Sequence, residues 1–187
     1  ILAKTEQNGH VCLYQHLKNV ADIARAVAKH IGFDEQIAVE GALLHDIGKT
    51  SPVFQQSLIS PNKKPGSVFR HEIASLFFLS LVCQEHRDAV IDMIVAHHKS
   101  MYKDVRELGI LDLDDTSDCF KEHSKLFPEW SHIAIDILES LGMKTHKITL
   151  EEAEENYEYV IDYCDSRKKG CSEWRGLLMA ADHMASA

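Results

Sequence analysis

Seven side chains have types and positions that could do metal-assisted chemistry: His16, His45, Asp46, His71, His97, His98 and Asp182. Each lies on an apolar helical face or next to one. The strongest local signal is Ala42-Leu43-Leu44-His45-Asp46-Ile47-Gly48-Lys49, an apolar helical run that ends in a histidine, a carboxylate and a lysine. Burying an unpaired carboxylate costs several kcal/mol, so such a group is paired or bound to a cation. Imidazole and carboxylate without thiolate suit Mn, Fe, Co, Ni or Zn more than Mg or Ca alone. Seven ligands exceed what one ion with an open position needs, but they suit two ions that share a bridging carboxylate. Such pairs lie about 3.5–4 Å apart and clamp the attacking and leaving oxygens of a phosphoryl displacement.

Spacing points the same way. Neighbouring residues on a helix point about 100° apart. His45-Asp46 and His97-His98 are therefore awkward around one ion and easier around two. Lys49 follows His45 by four residues and Asp46 by three, so it shares their face and can reach a substrate phosphate or pair with Asp46. Taken singly, each residue has a plainer reading. A lone histidine on an apolar face is often a satisfied core residue, and Asp182 could cap its helix or pair with Arg175. The other histidines (His10, His30, His86, His123, His132, His146 and His183) fall at helix ends or polar positions and read as surface residues.

The elements that must carry these residues are helical, and no alternating strand pattern is present. A first helix is expected over about 11–30, ending before Gly32. Its apolar stripe of Leu13, His16, Val20, Ile23, Val27 and Ile31 puts His16 on the buried side. A second helix opens at the N-cap Asp34 and runs to the His45-Asp46 pair. Ser51-Pro52 reads as an N-cap followed by proline at the first helical position. The strongest break is Ser60-Pro61-Asn62-Lys63-Lys64-Pro65-Gly66. A central helix starts at His71 and runs through the nearly all-apolar stretch 73–82, and the next, about 87–98, delivers His97 and His98. Residues 104–118 read as an acidic surface loop. Helices resume near 133–141. Thr149 and Glu152 form a capping-box pattern for a helix closed by Lys168-Lys169-Gly170, and Ser172 caps a last helix with Leu178, Asp182 and Ser186 along one side.

The chain has 187 residues, which suits one domain spanning 1–187 with a real core. Its first residue is isoleucine, which suggests an excised piece of a longer chain. There is no apolar run long enough to span a membrane and no signal peptide, so the expected location is cytoplasmic. The five cysteines form no CxxC pair and read as incidental thiols. The net charge of −9 is unevenly placed: residues 1–103 carry +1 and residues 104–187 carry −10. A phosphate-bearing ligand is thus expected on the first half.

The pattern His16 … His45-Asp46-Ile47-Gly48-Lys49 … His71 … His97-His98 … Ala181-Asp182-x-x-x-Ser186 resembles the HD superfamily of metal-dependent phosphohydrolases. With Ser51-Pro52-x-Phe54 after Lys49, it most resembles the HD nuclease domain of the CRISPR-associated helicase-nuclease of type I systems. The resemblance implies an all-α HD-domain helical bundle with a buried dinuclear metal site. It implies that His16, His45, Asp46 and Asp182 hold one ion. Asp46, His71, His97 and His98 would hold the other, with Asp46 bridging and Lys49 and Ser186 beside the scissile phosphate. It further implies two divalent transition-metal ions (Mn, Ni, Co or Fe, ahead of Zn or Mg) and cleavage of single-stranded DNA by two-metal activation of water. The implied partners are a helicase domain or subunit and an RNA-guided CRISPR surveillance complex. Lys63 and Lys64 could follow a nucleic-acid backbone. Two other readings stand beside this one: an HD nucleotidase or cyclic-nucleotide phosphodiesterase acting on a small molecule, and a non-enzymatic protein whose acidic half binds a partner.

Overall fold

Alanines decide how the first helix packs. The computed structural model of the protein describes residues 1–3, 11–59, 69–95, 97, 119–166 and 172–186. Within it, α1 (Leu13–Ile31) buries Leu13, His16, Leu17, Val20, Ala21, Ala24 and Ala28. The buried stripe is rotated from the expected one: Ile23 and Val27 are only half-buried and Ile31 is exposed. Small alanines let α1 lie close to α2 (Glu35–Leu44) and α9 (Glu173–Ser186), while larger residues flank the contact. His16 stays on the buried side, as expected. Gly32 ends α1 in the left-handed conformation with φ 78°, its N–H bonded to Ala28 O.

Asp34 caps α2 by accepting from the backbone N–H groups of Gln36 and Ile37. The helix stops at Leu44, and a 3₁₀ turn over Ile47–Thr50 leads into α3 (Pro52–Ile59). Pro52 starts α3 as expected, but the buried Ser51 hydroxyl makes no hydrogen bond among the described residues.

The apolar stretch after His71 differs from the expected central helix. Only α4 (His71–Ser75) is α-helical, and Leu76–Leu81 continues as a 3₁₀ helix. It is nonetheless the centre of the core, with Leu76, Phe77, Phe78 and Leu79 fully buried. Phe77 and Phe78 pack against Phe120, Phe127 and Trp130 from the second half. After a short 3₁₀ turn, α5 (Arg87–Ile94) ends before His97. The segment α6 (Phe120–His123) precedes α7 (Phe127–Ser140), which begins earlier than expected, and α8 (Leu150–Ser166) covers the 3₁₀ helix. Tyr159 and Tyr163 of α8 donate to Asp88 and Asp92 of α5 at 3.0 and 2.9 Å, one helical turn apart on both helices.

Among the described residues the protein is all-α; its one β feature is an isolated bridge between Leu2 and Cys12. No helix of these residues is long and apolar enough to cross a membrane, and no disulfide forms among the described cysteines. His98, Lys63, Lys64, the 104–118 run and Lys168-Lys169-Gly170 lie outside the described residues.

Candidate metal centre

The site is built around one carboxylate whose two oxygens face different histidines. Asp46 Oδ2 lies 3.0 Å from His16 Nε2 and 3.3 Å from His45 Nε2. Asp46 Oδ1 lies 2.9 Å from His71 Nε2 and 3.6 Å from His97 Nε2. On the Oδ2 side, Asp182 Oδ1 approaches His16 Nε2 at 3.3 Å. Among the described residues two groups of donor atoms are close enough to share an ion: His16, His45 and Asp182, and His45, Asp46 and His97. His45 belongs to both, and the rings of His16, His45, His97 and His71 follow one another at centroid separations of 5.5, 5.3 and 5.6 Å.

Local structure explains the positions. His45 caps the C-terminus of α2 and Asp46 leaves the helix with φ −115° and ψ 4°, so the two side chains part and meet the carboxylate site from different angles. Ser75 pins this turn by donating to His45 O at 3.0 Å and accepting from Gly48 N–H at 2.9 Å. Gly48 is required by proximity, since a Cβ there would meet His71 O at 2.1 Å. Gln55 donates to Lys49 O and to Leu2 O, tying the first residues to the same turn.

The donor chemistry fits a cation. His45 Nδ1 donates to Ala42 O at 2.6 Å and His97 Nδ1 donates to Ile94 O at 2.7 Å. A carbonyl only accepts, so in the neutral ring the proton is on Nδ1 and Nε2 presents a lone pair to the carboxylate. Facing lone pairs repel. Consistent with this, the buried His45 Nε2 and Asp46 Oδ1 make no hydrogen bond among the described residues, despite their close neighbours. Such contacts turn attractive if the rings are protonated or if a cation lies between them. One cation between the donors would relieve these contacts together.

The electrostatics agree. Burial opposes ionisation of Asp46, but positive charge at His45 and at Lys49, with the hydrogen bond from His16, outweighs it and holds the carboxyl well below its usual range. Burial lowers the His71 pKa by more than Asp46 and Glu72 raise it. Lys49 Nζ donates to Asp46 Oδ2 at 2.6 Å and sits 5.8 Å from the centroid of the Phe54 ring.

The structure thus brings together His16, His45, Asp46, Lys49, His71, His97 and Asp182, and all but Asp182 are buried. Asp182 is partly open, and Ser186, whose hydroxyl lies 3.4 Å from Asp182 Oδ1, is exposed, so the centre opens along α9. A groove of about 670 Å³, lined by Arg25, Val39, Leu43, Leu141 and Lys144 among others, touches none of these residues.

Two residues escaped the sequence reading. His123 was expected on the surface but is fully buried: its Nδ1 donates to Cys119 O and its Nε2 accepts from Arg70 N–H at 3.0 Å. Its partner lies 53 residues away, so no local pattern reveals it. Glu72 is a buried carboxylate that accepts from Arg70 Nε at 2.8 Å, with Oε2 3.7 Å from His71 Nδ1. Its pKa falls to about 2 against the effect of burial, because His71, Arg70 and His97 favour the charged form. Its direct adjacency to His71 was the one available signal.

No curated protein and no solved structure matches the chain. The HD domain family matches residues 13–165, a span that runs from the start of α1 into the end of α8. With a buried His-Asp pair at its centre and helices around it, the chain belongs to the HD domain family of metal-dependent phosphohydrolases.

Proposed function

We propose that this phosphohydrolase is a nuclease that hydrolyses phosphodiester bonds of single-stranded DNA in CRISPR interference, beside a helicase domain or subunit and an RNA-guided surveillance complex. The observation that carries the reaction type is the division of the Asp46 oxygens between His16/His45 and His71/His97. A carboxylate addressed from both sides is what a pair of ions sharing one bridge requires. His16, His45 and Asp182 would hold the Oδ2-side ion, and His71 and His97, with His98, the Oδ1-side ion. When bound, the two divalent transition-metal ions supply Lewis acidity, which lowers the pKa of the attacking water and offsets charge at phosphorus.

The protein's own groups do the rest. Among the described residues Lys49 is the lysine paired with Asp46, and it would neutralise a phosphate oxygen. The Ser186 hydroxyl at the open end would position the scissile phosphate. Single-stranded DNA is favoured over a small nucleotide by the late Ala181-Asp182-x-x-x-Ser186 pattern and by Phe54. That half-buried ring lies beside Lys49 and packs on His71 with centroids 5.1 Å apart, where it could stack a base without reading its identity.

Purified protein incubated with circular single-stranded DNA and Mn²⁺ or Ni²⁺ is expected to cut it, and Asp46→Ala is expected to abolish cutting. Release of inorganic phosphate from nucleotides with the DNA left intact would instead place the protein among the small-molecule HD enzymes.

A further inference from the structure

Four histidines present Nε2 to Asp46, and at three of them, His45, His97 and His71, a neighbour stands at Nδ1, but its nature differs. Behind His45 and His97 it is a neutral backbone carbonyl, Ala42 O or Ile94 O, from three residues earlier in the chain. Beside His71 Nδ1 stands the carboxylate of Glu72 at 3.7 Å. This carboxylate is no loose surface group. Glu72 is 5 % exposed, its other oxygen accepts from Arg70 Nε at 2.8 Å, and Arg70 N–H is fixed in turn by His123 Nε2 at 3.0 Å. Arg70, His71 and Glu72 thus form a three-residue mount clamped by an imidazole from the second half of the chain.

A negative charge behind an imidazole raises its basicity as a ligand and holds its ring orientation, and loss of such an outer partner typically weakens metal affinity about 10–100-fold. We propose that Glu72 is a positioning residue that acts through His71 and sets the affinity of the Oδ1-side ion separately from that of the Oδ2-side ion. The inference rests on the two-ion reading of Asp46 given above. It makes the two ions chemically unequal although they would share one bridge: the backing seen in the Oδ2-side set is the carbonyl behind His45, whereas the Oδ1-side set includes, beside the carbonyl-backed His97, a histidine backed by a buried charge.

The test is titration of Co²⁺ into metal-free protein, followed by calorimetry and by the visible absorption of the bound ion. The wild type is expected to take up two ions in two resolvable steps, with His71→Ala identifying the Oδ1-side step. Glu72→Gln keeps the size of the side chain and removes its charge, and is expected to weaken the His71-dependent step by about tenfold or more while the other step moves less than about twofold. The undisturbed step serves as the control for folding. If Glu72→Gln does not fold, Arg70→Met combined with Glu72→Met removes the ion pair without stranding a charge and should show the same selective loss. Equal weakening of both steps, or of neither, overturns the role of Glu72. Uptake of fewer than two ions by the wild type overturns the two-ion reading instead.

Discussion

Lys49 Nζ lies 2.6 Å from Asp46 Oδ2, on the same oxygen that His16 and His45 face. The lysine therefore competes for a position that an ion would occupy. A bound ion would repel the ammonium, and Lys49 would then be left to meet a phosphate instead of Asp46. Lys49→Met is accordingly expected to bind the Oδ2-side ion more tightly than wild type while lowering kcat by about a hundredfold or more, the scale of losing one charge-stabilising group. Calorimetry and single-turnover kinetics measure the two effects, and a variant with weaker metal binding would contradict the competition.

Asp46 touches both histidine pairs, so its removal should differ in kind from removal of any one histidine. Asp46→Asn keeps the shape but not the charge and, on the proposed two-ion reading, is expected to lose both ions, whereas His16→Ala and His71→Ala are each expected to lose one. Metal content per chain after equilibration with Mn²⁺ and gel filtration reads this directly. An Asp46→Asn protein that retained one ion would remove the bridging role.

Ions that bind the folded chain alone should also raise its stability. At a hundredfold excess over Kd, one ion contributes about 2.7 kcal/mol. For a chain of this size that corresponds to a rise in Tm of roughly 5–10 °C. Scanning calorimetry with Mn²⁺ and with chelator is expected to show the shift in wild type and not in Asp46→Asn.

Gly48 has no room for a side chain, since a Cβ would meet His71 O at 2.1 Å and Ser75 N at 2.8 Å. Gly48→Ala must push α4 away from the turn that carries Asp46, at a cost of about 1–3 kcal/mol. Chemical denaturation is expected to show that loss, with weakened uptake of the His71-side ion alongside it.

Glu152 supplies a pH dependence remote from the metal centre. Burial raises its pKa, but hydrogen bonds from Ser80 Oγ and His146, both at 2.7 Å, more than offset this and leave it below 4.5. A carboxyl depressed by folding stabilises the protein above its unfolded pKa, and this contribution fades as pH falls through the folded value. The stability difference between wild type and Glu152→Gln is thus expected to be full at neutral pH and to shrink steadily below about pH 4.5. Urea titrations across that range test it, and a difference that grew on acidification would reverse the sign.

Helical spacing made His16 and Asp182 stand out in the sequence, and His45, Asp46 and Lys49 stood out as polar residues closing an apolar run, although the structure places these three where α2 ends and a 3₁₀ turn begins. His71 and His97 were legible as histidines bordering apolar runs. What escaped has a common physical cause: the partner is far away in sequence. His123 looked like a polar helix end because nothing near it announces Arg70, and Glu72 looked like an ordinary charge beside His71 because its burial comes from tertiary packing. The all-apolar stretch 73–82 carried no periodic signal from which to choose between α and 3₁₀ geometry. The early start of α7 was hidden by Leu126, which enters that helix from the left-handed region with φ 57° and resembles no usual start signal.

Asp182 reaches His16 from α9, the last described helix, across nearly the full length of the chain. The cluster is consequently an assembly of early and late segments, and a fragment that stops before α9 lacks the carboxylate that meets His16. During synthesis the His-Asp turn, α4 and α5 emerge long before Asp182 does. A cluster built on all of these side chains is therefore incomplete until the end of this region docks against its beginning.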